Sequence, residues 1–170
     1  APGGCPPEVY RPLVKAAVTA GLPVVLDTAG DWLAAGLTGS PTVVKPNREE
    51  LSALVGTELG DLGSVVAAAR ELCGRGPRWV VVSLGADGAV AVNATSAVQV
   101  SAPRVRAVNP VGCGDVLVGG LASGLARGGL DVAAALPRAV QIAAASAAHP
   151  ETGVFDPTYA DTLTVGITEL

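Results

Sequence analysis

The chain has 170 residues, 49% of them hydrophobic, 3% aromatic and 15% charged, with a formal net charge of -4. That is enough for one compact domain with a real core, and at this acidic balance no basic face for nucleic acid is evident. No segment reaches the ~18 uncharged apolar residues that span a bilayer, so neither nucleic acid nor membrane is an expected partner. Cys5, Cys73 and Cys113 are odd in number and lack CxxC spacing. A disulfide framework is therefore not expected, and a reduced, cytoplasmic setting is. Ala1-Pro2-Gly3-Gly4 reads as a loop rather than a first strand, with no signal peptide at the start, and the chain has no Met. Loss of an initiator Met and an incomplete chain both account for that opening.

In chain order, Pro6-Pro7 precede a helical pattern from about Glu8 to Ala20, with Pro12 in its early turns. Leu22 to Asp27 reads as a buried strand ending in a polar Asp-Thr-Ala-Gly turn. A short helix near Asp31 to Ala35 and a strand over Thr42 to Lys45, stopped by Pro46, come next. Asn47 and Glu50 have capping-box spacing for a following helix. Asp61 starts another helix that runs to Cys73 and is closed by Gly74. Arg78 to Ser83 is a third strand. Asp87-Gly88 turns into two β-rich segments, Ala89 to Asn93 and Ala97 to Ser101, patterned as an antiparallel hairpin. Two Ala-rich helices, near Cys113 to Arg127 and Asp131 to Ala147, precede a final short strand around Leu163 to Ile167. Strand and helix alternate through the first half, which predicts an α/β fold with a mostly parallel sheet and helices on both faces. Ligands on such sheets bind at the carboxyl ends of the strands.

Three motifs fall at those ends. In Asn109-Pro110-Val111-Gly112-Cys113-Gly114-Asp115, two glycines flank a small residue and a carboxylate follows, just where a helix begins. Helix-start amides attract anions. An acid beside bound phosphate makes sense if it takes a proton from a group about to attack that phosphate. The bland alternative is a Gly-rich turn with Asp115 as a first-turn acid. The run lacks the third Gly of a dinucleotide fingerprint, and no Gly-Lys-Ser or Gly-Lys-Thr marks a P-loop. Ser83-Leu84-Gly85-Ala86-Asp87-Gly88 admits close approach of a flat or phosphorylated ligand, or is an ordinary Asp-Gly turn. Asn47 and Glu50, one helical turn apart, either cap their helix or hold a hydrated Mg²⁺, with Asp27 a weaker candidate. Cys113 is either a reactive thiol at a helix start or a small side chain that fits. His149, the one histidine, reads as structural or surface at a helix exit.

Together, in order and spacing, these motifs resemble the C-terminal part of a PfkB/ribokinase-family sugar kinase. Asn109 to Asp115 resembles that family's Asp-Thr-x-Gly-Ala-Gly-Asp signature, Asn47-Arg48-Glu49-Glu50 its Asn-x-x-Glu motif, and Ser83 to Gly88 its nucleotide loop. Within the family, the tagatose-6-phosphate kinase and 1-phosphofructokinase group is most similar, on Asn109-Pro110-Val111-Gly112 and Lys45-Pro46-Asn47. Ala1 to Pro7 resembles the end of the family's Gly-Ser-Leu-Pro-Pro-Gly loop.

The resemblance implies a ribokinase-like three-layer sandwich over residues 1–170, without the family's N-terminal part and β lid. It implies ATP and Mg²⁺ as cofactors and a hexose phosphate as substrate. Asp115 would be the base, and the amides of Gly112, Cys113 and Gly114 the anion hole. Asn47 and Glu50 would place Mg²⁺. Ser83, Leu84, Gly85, Ala86, Asp87, Gly88, Gly114 and, on the later helix with Ala145, Ser146 would lie against ATP. Many family members pair through the lid, so a homodimer is among the expected states. The rival expectations are a nucleotide-binding remnant without turnover and, on an atypical dinucleotide loop, an oxidoreductase.

Overall fold

The computed structural model describes residues 4–170, so Ala1, Pro2 and Gly3 of the opening loop lie outside the described residues. Two compact units divide the chain. One comprises the residues up to Ser83 with Ala91–Ala97, the other Leu84–Val90 with Val98–Leu170.

In the first unit, a 3₁₀ turn over Pro7–Val9 leads into α1 (Tyr10–Thr19), as the Pro-rich start predicts. β1 (Val25–Leu26), α2 (Gly30–Leu37) and β2 (Val43–Val44) follow. Next come α3 (Arg48–Val55), α4 (Leu62–Cys73) and β3 (Trp79–Ser83). β1 pairs with β2 and β2 with β3, both parallel, and the pairing extends to an isolated bridge between Asn47 and Ser83. Parallel strands covered on both faces read as unbroken apolar runs, and β2 and Val80 to Val82 of β3 are wholly buried, with Leu33, Leu51, Val65 and Leu72. The strands are shorter than the apolar runs Leu22 to Asp27 and Thr42 to Lys45. α4 starts at a capping box between Asp61 and Ser64, whose amide and hydroxyl hold the Asp61 carboxyl below its usual range. The helix runs to Cys73 and is closed by Gly74, as expected, with Gly74 right-handed at φ -65°. The left-handed cap is Gly56, at the end of α3.

β4 (Ala89–Val92) leads through a turn, where Asn93 Oδ1 accepts from the amides of Thr95 and Ser96, into β5 (Ala97–Ser101).

In the second unit, α5 (Cys113–Gly128) and α6 (Val132–Ala147) are the main helices. They pack closely because a Cβ on Gly120 would stand 2.8 Å from Ala139 Cα, and one on Gly124 2.6 Å from Ala135 Cβ. Asp131 caps α6 by accepting from the Ala134 amide. The sequence reading omitted α7 (Pro157–Thr162), although Asp156 caps it and Pro157 opens it. β6 forms over Gly166–Glu169 and pairs antiparallel with β5. It starts later than Leu163 to Ile167 because Leu163 packs with Phe155 against Val116, Ile142, Ala145 and Ala160. No helix among the described residues is long and apolar enough to cross a membrane.

Leu72 is fully buried in α4. Leu72→Ala is expected to lower unfolding stability by about 2–5 kcal/mol, read from the shift in urea midpoint at unchanged slope.

Candidate active site

Each unit carries part of the predicted site. In the first, Asn47 and Glu50 form a reciprocal capping box. The Asn47 amide donates to Glu50 Oε2 at 2.8 Å and the Glu50 amide to Asn47 Oδ1 at 2.7 Å. The Ser83 amide donates to the Pro46 carbonyl at 3.1 Å, which places Ser83 beside this helix start. One charged side chain that the sequence reading gave no role also lies here. Lys45 is 5% exposed and its Nζ stands 3.3 Å from Asp27 Oδ1. A buried ammonium needs such a partner.

The cap already occupies one lone pair on each of Asn47 Oδ1 and Glu50 Oε2. No group of three or more His, Cys, Asp or Glu that could hold a metal occurs among the described residues. The oxygens left over could meet the water shell of a hydrated cation such as Mg²⁺ but form no cage around an ion.

In the second unit, Leu84 to Gly88 form a tight loop. The Leu84 amide donates to the Gly88 carbonyl at 2.8 Å and the Gly88 amide to the Gly85 carbonyl at 3.1 Å. Gly85, Ala86 and Asp87 are exposed. Gly88 is required by its backbone surroundings: at φ +94°, a Cβ there would lie 2.0 Å from the Val100 carbonyl oxygen.

The second motif is built on Gly112, which enters α5 in the left-handed region at φ 84°, ψ -4°. A Cβ at this position would meet Thr152 Cγ2 at 2.9 Å and the Gly153 nitrogen at 3.0 Å. Both the angle and the space demand glycine. No side chain caps α5, and first-turn amides have no intrahelical acceptor. Of the three expected anion-hole donors, the Cys113 amide has a long bond of 3.3 Å to the Pro110 carbonyl. Asp115, third in the helix, is exposed and lines a cleft of about 900 Å³ with Val116, Gly119, Gly153 and Phe155.

Ser146 is fully buried in α6, and its Oγ has no hydrogen-bond partner among the described residues. It lies behind Cys113 rather than at the surface. Burial pushes the Cys113 thiol above its ordinary value, and the neighbouring Ser146 hydroxyl only partly opposes this. Desolvation is the larger cause, as for thiols in apolar surroundings. Cys73 is likewise raised by burial.

The family model for pfkB family carbohydrate kinases matches residues 1–158. Among solved structures, a putative phosphofructokinase from Staphylococcus aureus is 27% identical with a TM-score of 0.90, covering 100% of this chain and 55% of that one. Phosphofructokinase-2 from Escherichia coli, in complex with potassium, is 33% identical with a TM-score of 0.87, over 95% of this chain and 53% of that one. A ribokinase from Arabidopsis thaliana, complexed with ribose and ATP, is 23% identical with a TM-score of 0.78 and shares the fold. The α/β fold is thus ribokinase-like, and the chain belongs to the pfkB family of carbohydrate kinases. It spans about half the length of the solved relatives it matches.

Two outcomes follow. Gly112→Ala strains the backbone by about 1–3 kcal/mol and is expected to lower the urea midpoint, whereas Gly119→Ala, with open space around its Cβ, is not. The folded state holds its proton on Cys113 and Cys73 to higher pH than the unfolded chain does. Stability from this source is therefore complete below the ordinary thiol value of 9.0 and is lost as pH rises above it. Unfolding midpoints measured from pH 8 to about 10.5 should fall more steeply for the natural sequence than for Cys73→Ala/Cys113→Ala.

Proposed function

We propose that this chain carries the ATP-binding and catalytic portion of a cytoplasmic kinase that phosphorylates a hydroxyl of a hexose phosphate, of the tagatose-6-phosphate or fructose-1-phosphate type, to a bisphosphate. The observation that carries the reading is the placement of Asp115. Its carboxylate is exposed at a cleft, in the first turn of a helix whose start is uncapped and entered through a glycine. A base must reach solvent-borne substrate, and phosphoryl transfer needs donors fixed in advance where charge develops.

In this reading, the Asp115 carboxylate accepts the proton of the attacking sugar hydroxyl. The amides of Gly112, Cys113 and Gly114 steady the oxygens of the phosphoryl group in transit. The Cys113 amide has to leave its long bond to Pro110 to take part. Exposed Gly85 to Asp87, with Ser83 and Leu84, border the nucleotide. Ser146 acts from behind Cys113, filling the space under the anion site. Asn47 and Glu50 hold the waters of Mg²⁺, which neutralises phosphate charge when bound. Residues 1–170 form one ribokinase-like portion in this reading, with a homodimer among its states.

The rival reading is a nucleotide-binding remnant without turnover, which would bind ATP at the exposed loop of Gly85 to Asp87 and release no ADP.

The test is ADP release from ATP and Mg²⁺ with a panel of tagatose and fructose phosphates. Turnover on one of them is expected to fall by on the order of 10²–10⁴-fold in Asp115→Asn, with ATP affinity little changed. ATP binding without ADP release in the natural sequence supports the remnant. Turnover that survives Asp115→Asn removes Asp115 as the base.

A further inference from the structure

Two loops of the second unit meet behind the start of α5. One is residues 107–112, leading into the helix. The other is residues 148–153, following α6. The amides of Val108 and Asn109 both donate to the Ala147 carbonyl, at 2.7 and 3.0 Å. The remaining links between the loops converge on one side chain. Asn109 Nδ2 donates to the Pro150 carbonyl at 3.1 Å and to Thr152 Oγ1 at 3.2 Å. At its other end, Asn109 Oδ1 accepts from the Val111 amide at 3.0 Å and closes the turn that delivers Gly112. Gly112 in turn abuts Thr152 and Gly153, the same segment to which Asn109 is tied.

Apolar burial does little to hold this junction. Val108 is 58% exposed and Val111 63%. The residues that pack the unit, among them Leu121, Leu136 and Val140, lie in α5 and α6. The loop's position is thus set by hydrogen bonds, chiefly those of Asn109, and its displacement need not unfold the core.

We propose that Asn109 is the positioning residue of the site: its carboxamide sets the separation of the two loops, and through Gly112 it fixes where the anion-binding amides and Asp115 stand. The proposal rests on the kinase reading above for its catalytic consequence, but not for its geometric one. Both ends of the carboxamide are engaged, the acceptor by Val111 and the two donors by Pro150 and Thr152. Asn109→Ala removes all three bonds at once. Errors of an ångström at a reacting centre cost about 10²-fold in rate, so a small displacement is enough to register.

The experiment compares the natural 170-residue chain with Asn109→Ala and, should that variant fold poorly, Asn109→Ser. Hydrogen exchange is read at the amides of Val108, Val111 and Val116, and turnover with ATP, Mg²⁺ and the accepted hexose phosphate. The amides of Val108 and Val116 are bonded to the backbone carbonyls of Ala147 and Gly112, so they report the loop's position rather than the lost side-chain bond alone. The expected result is at least about tenfold faster exchange at all three, with Leu121 and Ile142 unchanged. With it, kcat should fall about 10- to 100-fold while KM for ATP moves less than about threefold. Exchange that accelerates at Val111 alone, or a kcat that falls only as the folded fraction falls, overturns the proposal. Should the natural chain show no turnover, the kinase reading fails, and the exchange result alone decides whether Asn109 fixes the loop.

Discussion

The site depends on the left-handed turn at Gly112 and the wall it stands against. At φ 84°, with Thr152 and Gly153 within 3.0 Å of where a Cβ would be, the chain has one way into α5. That entry makes Cys113 the first helical residue and Asp115 the third. The α5 start therefore has no side-chain cap, and its third residue is an exposed carboxylate at the cleft. A cap would have occupied amides of the first turn, whereas α3, α4, α6 and α7 are each capped by Asn or Asp. Leaving a helix start unsatisfied costs stability. An anion that takes up those donors recovers it, which is the physical basis of binding at such a place.

The surroundings of this turn are arranged around small volumes. Cys113 sits beside the buried Ser146 hydroxyl, and burial raises its thiol above the ordinary value. Further along α5, Gly120 and Gly124 let Ala135 and Ala139 of α6 approach closely, so the helix that carries Asp115 is clamped over two turns. A clamped helix with a loosely packed entry loop divides the work. The helix holds its direction through packing, and the loop holds its register through the hydrogen bonds of Asn109. In the first unit, the same logic is carried by charge. Lys45 and Asp27 pair at the ends of β2 and β1, next to the Asn47–Glu50 cap.

Much of this was legible in the sequence because local rules set it. Asn47 with Glu50, and Asp61 ahead of α4, announce their caps by spacing alone. The apolar runs of β2 and β3 announce buried parallel strands. What escaped notice has identifiable causes. Asp156-Pro157 is a helix start by the same rules, and α7 was omitted for want of a long apolar period after it. β6 is exposed along its whole length, so no apolar face marks its register, and Leu163 belongs to the neighbouring cluster instead. The role of Asn109 is carried by partners 41 and 43 residues away, which no local pattern encodes. The burial of Ser146 and Lys45 is likewise a matter of tertiary packing.

The most direct test of the central claim follows backbone amide chemical shifts as ATP with Mg²⁺ is titrated into the protein. The account predicts that Gly112, Cys113 and Gly114 shift in step with Gly85 to Asp87 on one saturating curve, the phosphate end at the first set and the rest of the nucleotide at the second. Saturable nucleotide binding that leaves Gly112 to Gly114 unmoved would contradict it.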